Sequence, residues 1–208
     1  MKRWLGIPLF NSEHICSACG TQQMDLFGHH ATTCANSGDR IKKHNALRDC
    51  IFNSCSLAAW SPIKEKAFLF AGTSERPADI FIPNFSCGKG LVTDVAVTCP
   101  LQHKYVFEAA KIMGFASSNY ADEVKNKNFQ KRAEEEGYLY QPLVVESFGG
   151  WTPESLDFFH KLCTSISYRR NEPKNLCYKF LLERLSCILM KHNARAVSSR
   201  FPEFFSFN

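Results

Sequence analysis

The sequence lacks any long apolar run. No uninterrupted segment approaches the ~20 residues that span a bilayer. The short apolar stretch in MKRWLGIPLF gives way to the polar NSEH before it reaches the length of a signal-peptide core. Internal repeats and low-complexity tracts are missing too. We therefore expect an intracellular protein with no membrane segment.

A strong charge of either sign is also missing. The 25 Lys and Arg residues against 20 Asp and Glu residues give a net charge of +5. Such a modest basic excess permits a polyanionic partner without requiring one. The 45% apolar content and 18 Phe residues support a packed core and exclude disorder. A chain of 208 residues fits one domain, or one domain with a small appendage.

Paired cysteines at regular spacing are missing, although the chain has ten cysteines. Three of them stand close together near the amino terminus. The other seven are dispersed, mainly among apolar neighbours: Cys50, Cys55, Cys87, Cys99, Cys163, Cys177 and Cys187. A dispersed, odd-numbered set favours free thiols in a reducing compartment over a disulfide framework.

Composition divides the chain into three regions. Residues 1–38 are rich in Cys, His, Gly, Ser and Thr and have no sustained helical period. Residues 39–150 alternate helix and strand patterns, and residues 151–208 are mainly helical in pattern. The sequence therefore predicts an α/β sandwich with a small mixed sheet, preceded by a short metal-binding segment and followed by helices.

The central region predicts the order helix, three strands, helix, strand. The first helix runs from Arg40 to about Ala59, with Asp39 as its N-cap. The strands are expected at 63–70, 79–83, 91–98 and 142–148. A helical region at about 106–136, broken near 114–119 and closed by Gly137, separates the third strand from the fourth.

Two further helices are predicted after this region. Thr152 is placed as N-cap and Pro153 as the first helical residue of one of them. The last helix covers about 174–195. Six of its residues are predicted to share an apolar face: Leu176, Phe180, Leu181, Leu185, Ile188 and Leu189.

The cysteines near the amino terminus form a zinc-binding pattern. CSACGTQQMDLFGHHATTC supplies Cys16 and Cys19, then His29 or His30, then Cys34. Zn²⁺ accepts a tetrahedral set of three Cys and one His, and four protein ligands leave no open position for substrate. We therefore predict a structural zinc site, and spacing alone does not choose between the two histidines. The alternative is that these are ordinary cysteines in a loop.

Two aspartates lie in segments that should be buried strands. Asp79 begins one predicted strand and Asp94 lies within the next. Adjacent strands would place the carboxylates side by side, where both remain ionised only beside a cationic partner. Mg²⁺ or Mn²⁺ suits such a pair and suits phosphodiester hydrolysis. The alternative is that the aspartates form turns or surface ion pairs, for example with Arg76.

This arrangement resembles the PD-(D/E)XK nuclease superfamily, whose restriction-endonuclease-like core has the order αβββαβ. The whole chain is similar to the endonuclease region, with its preceding Cys-Cys-His-Cys zinc knuckle, of non-LTR retrotransposon polyproteins. The motifs that carry the resemblance are CSACG…FGHHATTC, GDRIKKHNALRD, RPADI, DVAVTCPL, the Lys-rich helix before Gly137, QPLVVESFGGW and ERLSCILMKHNAR. One residue separates Pro77 from Asp79, and Ala96 stands where the superfamily usually has its lysine.

The resemblance assigns roles to further residues. It favours His30 over His29 as the zinc ligand. It also moves the catalytic lysine to the following helix, as Lys125 or, less well matched, Lys127. Where the family usually has a Lys-Tyr pair, this chain has Asn128 and Phe129. These two replacements leave the predicted metal ligands unchanged. They concern the level of nuclease activity instead.

Other polar residues are candidates for supporting roles. Arg40 and His44, one helical turn apart, resemble a nucleic-acid contact. Glu65 is either a further catalytic ligand or a salt-bridged residue, and Glu146 is a candidate for holding a lysine or a metal-bound water. The remaining basic residues would extend a phosphate-binding surface or form an ordinary solvated face: Lys42, Lys43, Lys64, Lys191, His192, Arg195 and Arg200.

The sequence and the resemblance together predict a nuclear DNA endonuclease that depends on Mg²⁺ or Mn²⁺ and contains structural Zn²⁺. DNA, or RNA, is the expected partner, with a reverse transcriptase region in a parent polyprotein. One alternative is a zinc-containing nucleic-acid-binding module whose active site has decayed. The other is a zinc-containing interaction protein with no nucleic-acid role.

Overall fold

The computed structural model describes residues 6–70 and 78–200 and has a mixed α/β architecture. Arg76 and Pro77, which contribute to the predicted RPAD motif, lie outside the described residues. Within them no helix combines the length and apolar character needed to cross a bilayer. All ten cysteines are free thiols, as their dispersed pattern predicts.

A small segment with the predicted metal ligands, called the metal-binding segment below, opens the described part of the chain. Strand β1 (His14–Ile15) pairs antiparallel with β2 (Gln23–Met24), and helix α1 (His29–Thr33) follows. Its apolar cluster contains Phe10, Met24, Ala31 and two of the cysteines, together with Val197 from the last helix. The segment therefore completes its core with a residue from the opposite end of the described chain.

Helix α2 (Asp39–Leu57) confirms the first predicted helix. Leu47, Ile51 and Cys55 are fully buried in the main core. The N-cap differs from the expectation, because Gly38 occupies that position with φ +71° and Asp39 is the first helical residue. The Asp39 carboxylate instead accepts hydrogen bonds from Ser37 and Arg200.

The strands differ in length from those that the sequence pattern predicts. The segment predicted as a strand at 63–70 forms only β3 (Ile63–Lys64). The strand predicted at 79–83 is present as β4 (Ile80–Ser86), which extends three residues further. The strand predicted at 91–98 is divided into β5 (Lys89–Thr93) and β6 (Val95–Thr98). The division falls at Asp94, whose carboxylate makes the polar contacts described below.

The predicted helical region is broken at 110–114, just before the predicted 114–119, most of which is helical. It contains α3 (Val106–Ala109), α4 (Phe115–Tyr120), a π-helical segment (Ala121–Asn126) and α5 (Lys127–Glu135). Gly114 begins α4 with φ +87°, and Gly137 follows the end of α5 with φ +77°. Both glycines adopt a backbone conformation that side chains disfavour.

The strands form two small sheets that continue one another. The order in the larger sheet is β3-β4-β5-β7, where β7 (Leu139–Tyr140) runs parallel to β5. In the smaller sheet β6 pairs in parallel with β8 (Leu143–Glu146). The amide of Leu143 donates to the carbonyl of Asp94 at 2.8 Å, so the backbone pairing continues across the interruption.

Two long helices pack against each other and against α2. In α6 (Pro153–Arg170) the Thr152 side chain accepts from the amide of Ser155, which confirms the predicted N-cap and the first helical proline. In α7 (Lys174–Ser198) three residues of the predicted face are buried: Leu181, Leu185 and Leu189. Leu176 and Phe180 are exposed, contrary to the prediction.

Candidate functional site

The predicted zinc ligands lie together in space. One ligand atom from each of Cys16, Cys19, His30 and Cys34 lies within 4.8 Å of all the others. The sulfur of Cys19 is 3.4 Å from Nε2 of His30. In tetrahedral zinc, bonds of about 2.3 Å to sulfur and 2.0 Å to nitrogen separate those two ligands by about 3.5 Å. The donor set and its spacing therefore fit Zn²⁺.

Asp25 determines which histidine faces the cluster. Its carboxylate accepts hydrogen bonds from the amides of Phe27 and His29 at 2.8 and 2.9 Å. It also lies 3.5 Å from Nδ1 of His29, whose ring stacks on Phe27. His29 is thereby turned away from the ligand set, and His30 joins it. The sequence pattern did not single out Asp25, although an acid shortly before a helix start is a recognisable capping signal.

The Cys19 thiol is prepared for metal binding. Hydrogen bonds from the amides of Thr21 and Gln22 lower its pKa to about 5, because they stabilise the thiolate. The tight turn after a Cys-x2-Cys pair thus supplies amide donors to the sulfur. A deprotonated sulfur is the form that binds zinc.

Lys43 connects the metal-binding segment to the rest of the chain. Its side chain is buried, and Nζ donates to the carbonyl of Thr32 at 3.2 Å and to Oδ1 of Asn193 at 2.8 Å. The prediction that Lys43 and Arg200 extend a phosphate-binding surface is therefore wrong, because both side chains are buried among polar partners. Isolated charges in a sequence do not reveal such distant partners.

The Asp79 and Asp94 carboxyl groups lie side by side. Asp79 directly precedes β4 and Asp94 directly follows β5, where Ile80 pairs with Thr93. The backbone amide of Val95 donates to Oδ2 of Asp79 at 2.7 Å. Each carboxyl group also influences the pKa of the other, so the two lie close together. The structure thus brings together the two aspartates that the sequence singled out.

A cationic side chain contacts each carboxyl group. Nε2 of His44 lies 3.1 Å from Oδ1 of Asp79. The ammonium of Lys125, from the π-helical segment, forms an ion pair with Oδ2 of Asp94. Lys127 is exposed, which agrees with the preference for Lys125 as the residue at this pair.

Burial and neighbouring charge separate the pKa values of the two acids. Burial raises the pKa of Asp94 to about 6, since Lys125 offsets only part of the desolvation and Asp79 adds a like charge. Burial also acts to raise the pKa of Asp79. The hydrogen bond and charge of His44 and the Val95 amide outweigh it, so that this pKa lies below its usual value. At neutral pH both groups are therefore mainly carboxylates.

Of the two acids, Asp94 lines a groove of about 750 Å³. Helices α1 and α2 form one wall, and β6 with the π-helical segment forms the other. The polar residues along it include His29, Arg40, His44, Asp94, Gln102 and Lys125. The exposed Arg40 and the partly exposed His44 occupy the same wall, as their helical spacing predicts. The segment with the candidate zinc ligands and the Asp94 carboxylate therefore face one common space.

The two glutamates have structural partners. Glu65 forms an ion pair with Arg48, which corresponds to the salt-bridged alternative. Glu146 is buried and accepts a hydrogen bond from the amide of Ala116 at 2.9 Å. Its carboxylate thus holds the start of α4, and burial raises its pKa. The prediction that Glu146 holds a lysine finds no such ion pair among the described residues.

Tyr140 is a site residue that sequence reasoning missed. In the parallel pairing of β7 with β5, Tyr140 lies opposite Val92, which is two residues before Asp94. Its hydroxyl is buried and has no hydrogen-bond partner within residues 6–70 and 78–200. Burial, then the charges of Asp94 and Asp79, raise its pKa. Its ring lies 6.0 Å from that of Phe129, the residue that replaces the tyrosine of the resembled family.

Comparison of the chain with protein-family models gives no match, and comparison with curated proteins gives none either. The functional assignment therefore depends on the geometry above and on the motifs in the sequence.

Proposed function

We propose that this protein is a metal-dependent DNA endonuclease of the restriction-endonuclease-like, retrotransposon type. The observation that carries the proposal is the contact of the Asp79 and Asp94 carboxyl groups, with His44 and Lys125 as cationic neighbours, at one groove. Two adjacent acids in a mostly buried position are costly to maintain unless they hold a cation or perform chemistry.

The donor set fits Mg²⁺ or Mn²⁺. Both aspartates offer hard carboxylate oxygens, and Asp94 lines the groove. Mg²⁺ usually takes one or two carboxylates with waters and phosphate oxygens. When bound there, such an ion supplies a water of lowered pKa and neutralises charge on the phosphate. Asp79 and Asp94 would hold it.

The remaining residues have separate tasks in this proposal. The Lys125 ammonium, held at the carboxyl pair, stabilises negative charge that develops on the scissile phosphate. His44 keeps the Asp79 carboxylate ionised and fixes its orientation through their hydrogen bond. Arg40, exposed on the same helix, contacts the DNA backbone along the groove.

The order of elements supports the family assignment. Helix α2, the strands β3 to β6, the helical segments α3 to α5 and strand β8 follow the order helix, strands, helix, strand. The zinc-binding segment directly precedes them. This order supports the proposal that the chain is of the retrotransposon endonuclease type. The resemblance in sequence then implies a nuclear polyprotein that also carries reverse transcriptase.

A second function, binding without cleavage, is favoured by one observation. Phe129 occupies the position of the family's tyrosine and packs against Tyr140, so it offers no hydroxyl to a phosphate. The neighbouring Asn128 is exposed rather than directed into the site. If these changes abolish catalysis, the same groove binds DNA or RNA and does not cut it.

Plasmid nicking in Mg²⁺ or Mn²⁺ tests the proposal. We expect the zinc-loaded protein to nick and the Asp94→Asn variant to lose at least about a hundredfold in rate, because one metal ligand is gone. Asp122→Asn is the matched control, since Asp122 is an exposed acid on the same π-helical segment as Lys125.

The outcomes distinguish the alternatives. Nicking that survives Asp94→Asn contradicts the proposed centre. Absence of nicking by the parent, with binding to DNA that weakens steeply as salt increases, favours the binding module. Absence of any salt-dependent binding favours an interaction protein with no nucleic-acid role.

A further inference from the structure

Arg200 has an unusually buried guanidinium group. Its side chain is 0% exposed, although arginine is seldom buried without several partners. Nη1 lies 3.1 Å from Oδ2 of Asp39, and Nη2 donates to the hydroxyl of Ser37 at 2.8 Å. Nη1 also donates to the carbonyl of Ala196. These contacts join the end of α7 to the turn before α2.

The same side chain lies beside the candidate metal ligands. Nε of Arg200 is buried and has no hydrogen-bond partner within residues 6–70 and 78–200, so one N–H donor is left over. Burial acts to lower the pKa of Arg200, but the nearby sulfurs of Cys34 and Cys16, two of the four candidate ligands, contribute to raising it. Both cysteines are buried, with 3% and 0% of their surface exposed. Arg200 therefore lies on the buried side of the ligand set.

The charge of the cluster explains why a cation belongs there. Three thiolates and a neutral imidazole around Zn²⁺ leave one net negative charge. A buried net charge is costly unless an opposite charge and hydrogen bonds compensate it. A guanidinium presents several N–H donors in a fixed plane and remains charged at all relevant pH values.

Apolar packing independently brings the same two parts of the chain together. Val197 belongs to the apolar cluster of the metal-binding segment. A Cβ atom placed on Gly28 would lie 3.1 Å from the Phe10 ring and 3.3 Å from a methyl group of Val197. The end of α7 thus forms one wall of the metal-binding segment, and Arg200 comes directly after it.

We propose that Arg200 is a positioning residue of the metal centre. It donates N–H groups to the sulfurs of Cys16 and Cys34 and compensates their charge. Docking of the metal-binding segment on α7 therefore depends on the metal. The proposal does not rest on the endonuclease function. It assigns to the far end of the chain a direct part in metal affinity.

Zinc affinity of the full chain, measured by competition with a chromogenic chelator, tests this role. We expect Arg200→Met to weaken zinc binding by about 10- to 100-fold, as loss of such outer partners typically does. Arg195→Met is the control, because Arg195 is exposed on the same helix. Arg200→Lys should recover part of the affinity, since one ammonium restores the charge but not every donor.

A second measurement distinguishes contact with sulfur from a merely structural role. In the Co²⁺-substituted protein, loss of N–H donors to sulfur should shift the thiolate-to-metal charge-transfer band to longer wavelength, because the sulfur electrons are less stabilised. Arg195→Met should leave the band in place. The Arg200→Gln variant, which keeps donors without charge, should show a smaller shift than Arg200→Met.

A folded Arg200→Met protein with unchanged zinc affinity and an unchanged cobalt band would overturn the proposal. If Arg200→Met does not fold, Arg200→Gln decides by the same two readouts. Wild-type values for that folded variant would likewise overturn it, and weaker binding with a shifted band would support it.

Discussion

Nε2 of His44 lies 3.1 Å from Oδ1 of Asp79, although 35 positions separate the two residues in the chain. This contact places the first long helix against the carboxyl pair. The sequence pattern paired His44 with Arg40 as a nucleic-acid contact. In the structure the two residues share a helix wall, but only His44 touches the acids, so their substitution should have different effects.

Replacing His44 should impair catalysis more than binding. In His44→Ala the Asp79 carboxylate loses its charged hydrogen-bond partner, and we expect the nicking rate at saturating DNA to fall about tenfold or more. Arg40→Ala should instead weaken DNA binding and reduce the slope of log affinity against log salt by about 1. Titrating DNA at several salt concentrations separates the effects. Equal changes in rate and affinity for both variants would contradict the division of roles.

The His44–Asp79 pair should stabilise the fold only within a limited pH range. The pKa of His44 is raised, so its contribution is fully present below the unfolded pKa near 6.5 and is lost as pH rises through the folded value. The pKa of Asp79 is lowered, so its contribution is lost as pH falls through its folded value. The free energy of unfolding in urea should therefore differ most between the parent and His44→Gln at pH values between the folded pKa of Asp79 and that of His44. A difference that persists unchanged to pH 9 would contradict this.

Asp94 should show the opposite pH dependence. Its pKa, 3.8 when unfolded and about 6 in the fold, means that the folded state binds more protons and that stability falls as pH rises. Between pH 5 and 8 the Asp94→Asn variant should gain roughly 1 to 1.5 kcal/mol relative to the parent in the absence of Mg²⁺. Zinc-loaded samples unfolded in urea provide the measurement. Parallel stability curves for the two proteins would refute the raised pKa.

Sequence patterns predicted features that depend on local chemistry. The spacing of Cys16, Cys19 and Cys34 indicated a metal site, and Thr152 with Pro153 indicated a helix start, because capping and ligand spacing are short-range. Contacts between distant residues were not predictable in this way. Lys43 bonds to Asn193 at a separation of 150 positions and Arg200 to Asp39 at 161, so both appeared to be ordinary surface charges.

The strand pattern around Asp94 shows a different limit. Residues 91–98 alternate like one strand, but the chain forms β5 and β6 with an interruption at Asp94. The acid gains its partners Lys125 and Asp79 only through tertiary packing. Tyr140 was missed for the same reason, because its nearness to the acids depends on parallel pairing of β7 with β5.

Loss of one zinc ligand should unfold the amino-terminal segment. Its apolar cluster is small, so the metal supplies much of its folding free energy. We expect Cys19→Ser to lose tight zinc binding and to expose residues around 10–34 to protease, whereas Cys187→Ser should behave as the parent because Cys187 is exposed on α7. Limited proteolysis with mass spectrometry gives the readout. Unchanged protection in Cys19→Ser would show that the segment folds without the metal.

Gly150 should not tolerate a side chain. A Cβ atom there would lie 2.7 Å from Oε2 of Glu146 and 3.0 Å from the amide of Gly114, at φ +93°. Glu146 is buried against the start of α4 and cannot move freely. Gly150→Ala should therefore destabilise the protein by about 1–3 kcal/mol more than Gly149→Ala. Gly149 has a similar φ of +101° but open space around it, so equal melting temperatures would contradict the predicted clash.

Binding of Mn²⁺ followed by electron paramagnetic resonance tests the central claim most directly, because it reports the ion without requiring cleavage. In zinc-loaded protein, the signal of free Mn²⁺ should decrease as the parent and Asp122→Asn bind the ion. It should remain nearly undiminished with Asp79→Asn or Asp94→Asn. Equal Mn²⁺ binding by the parent and Asp94→Asn would show that the carboxyl pair does not hold the metal.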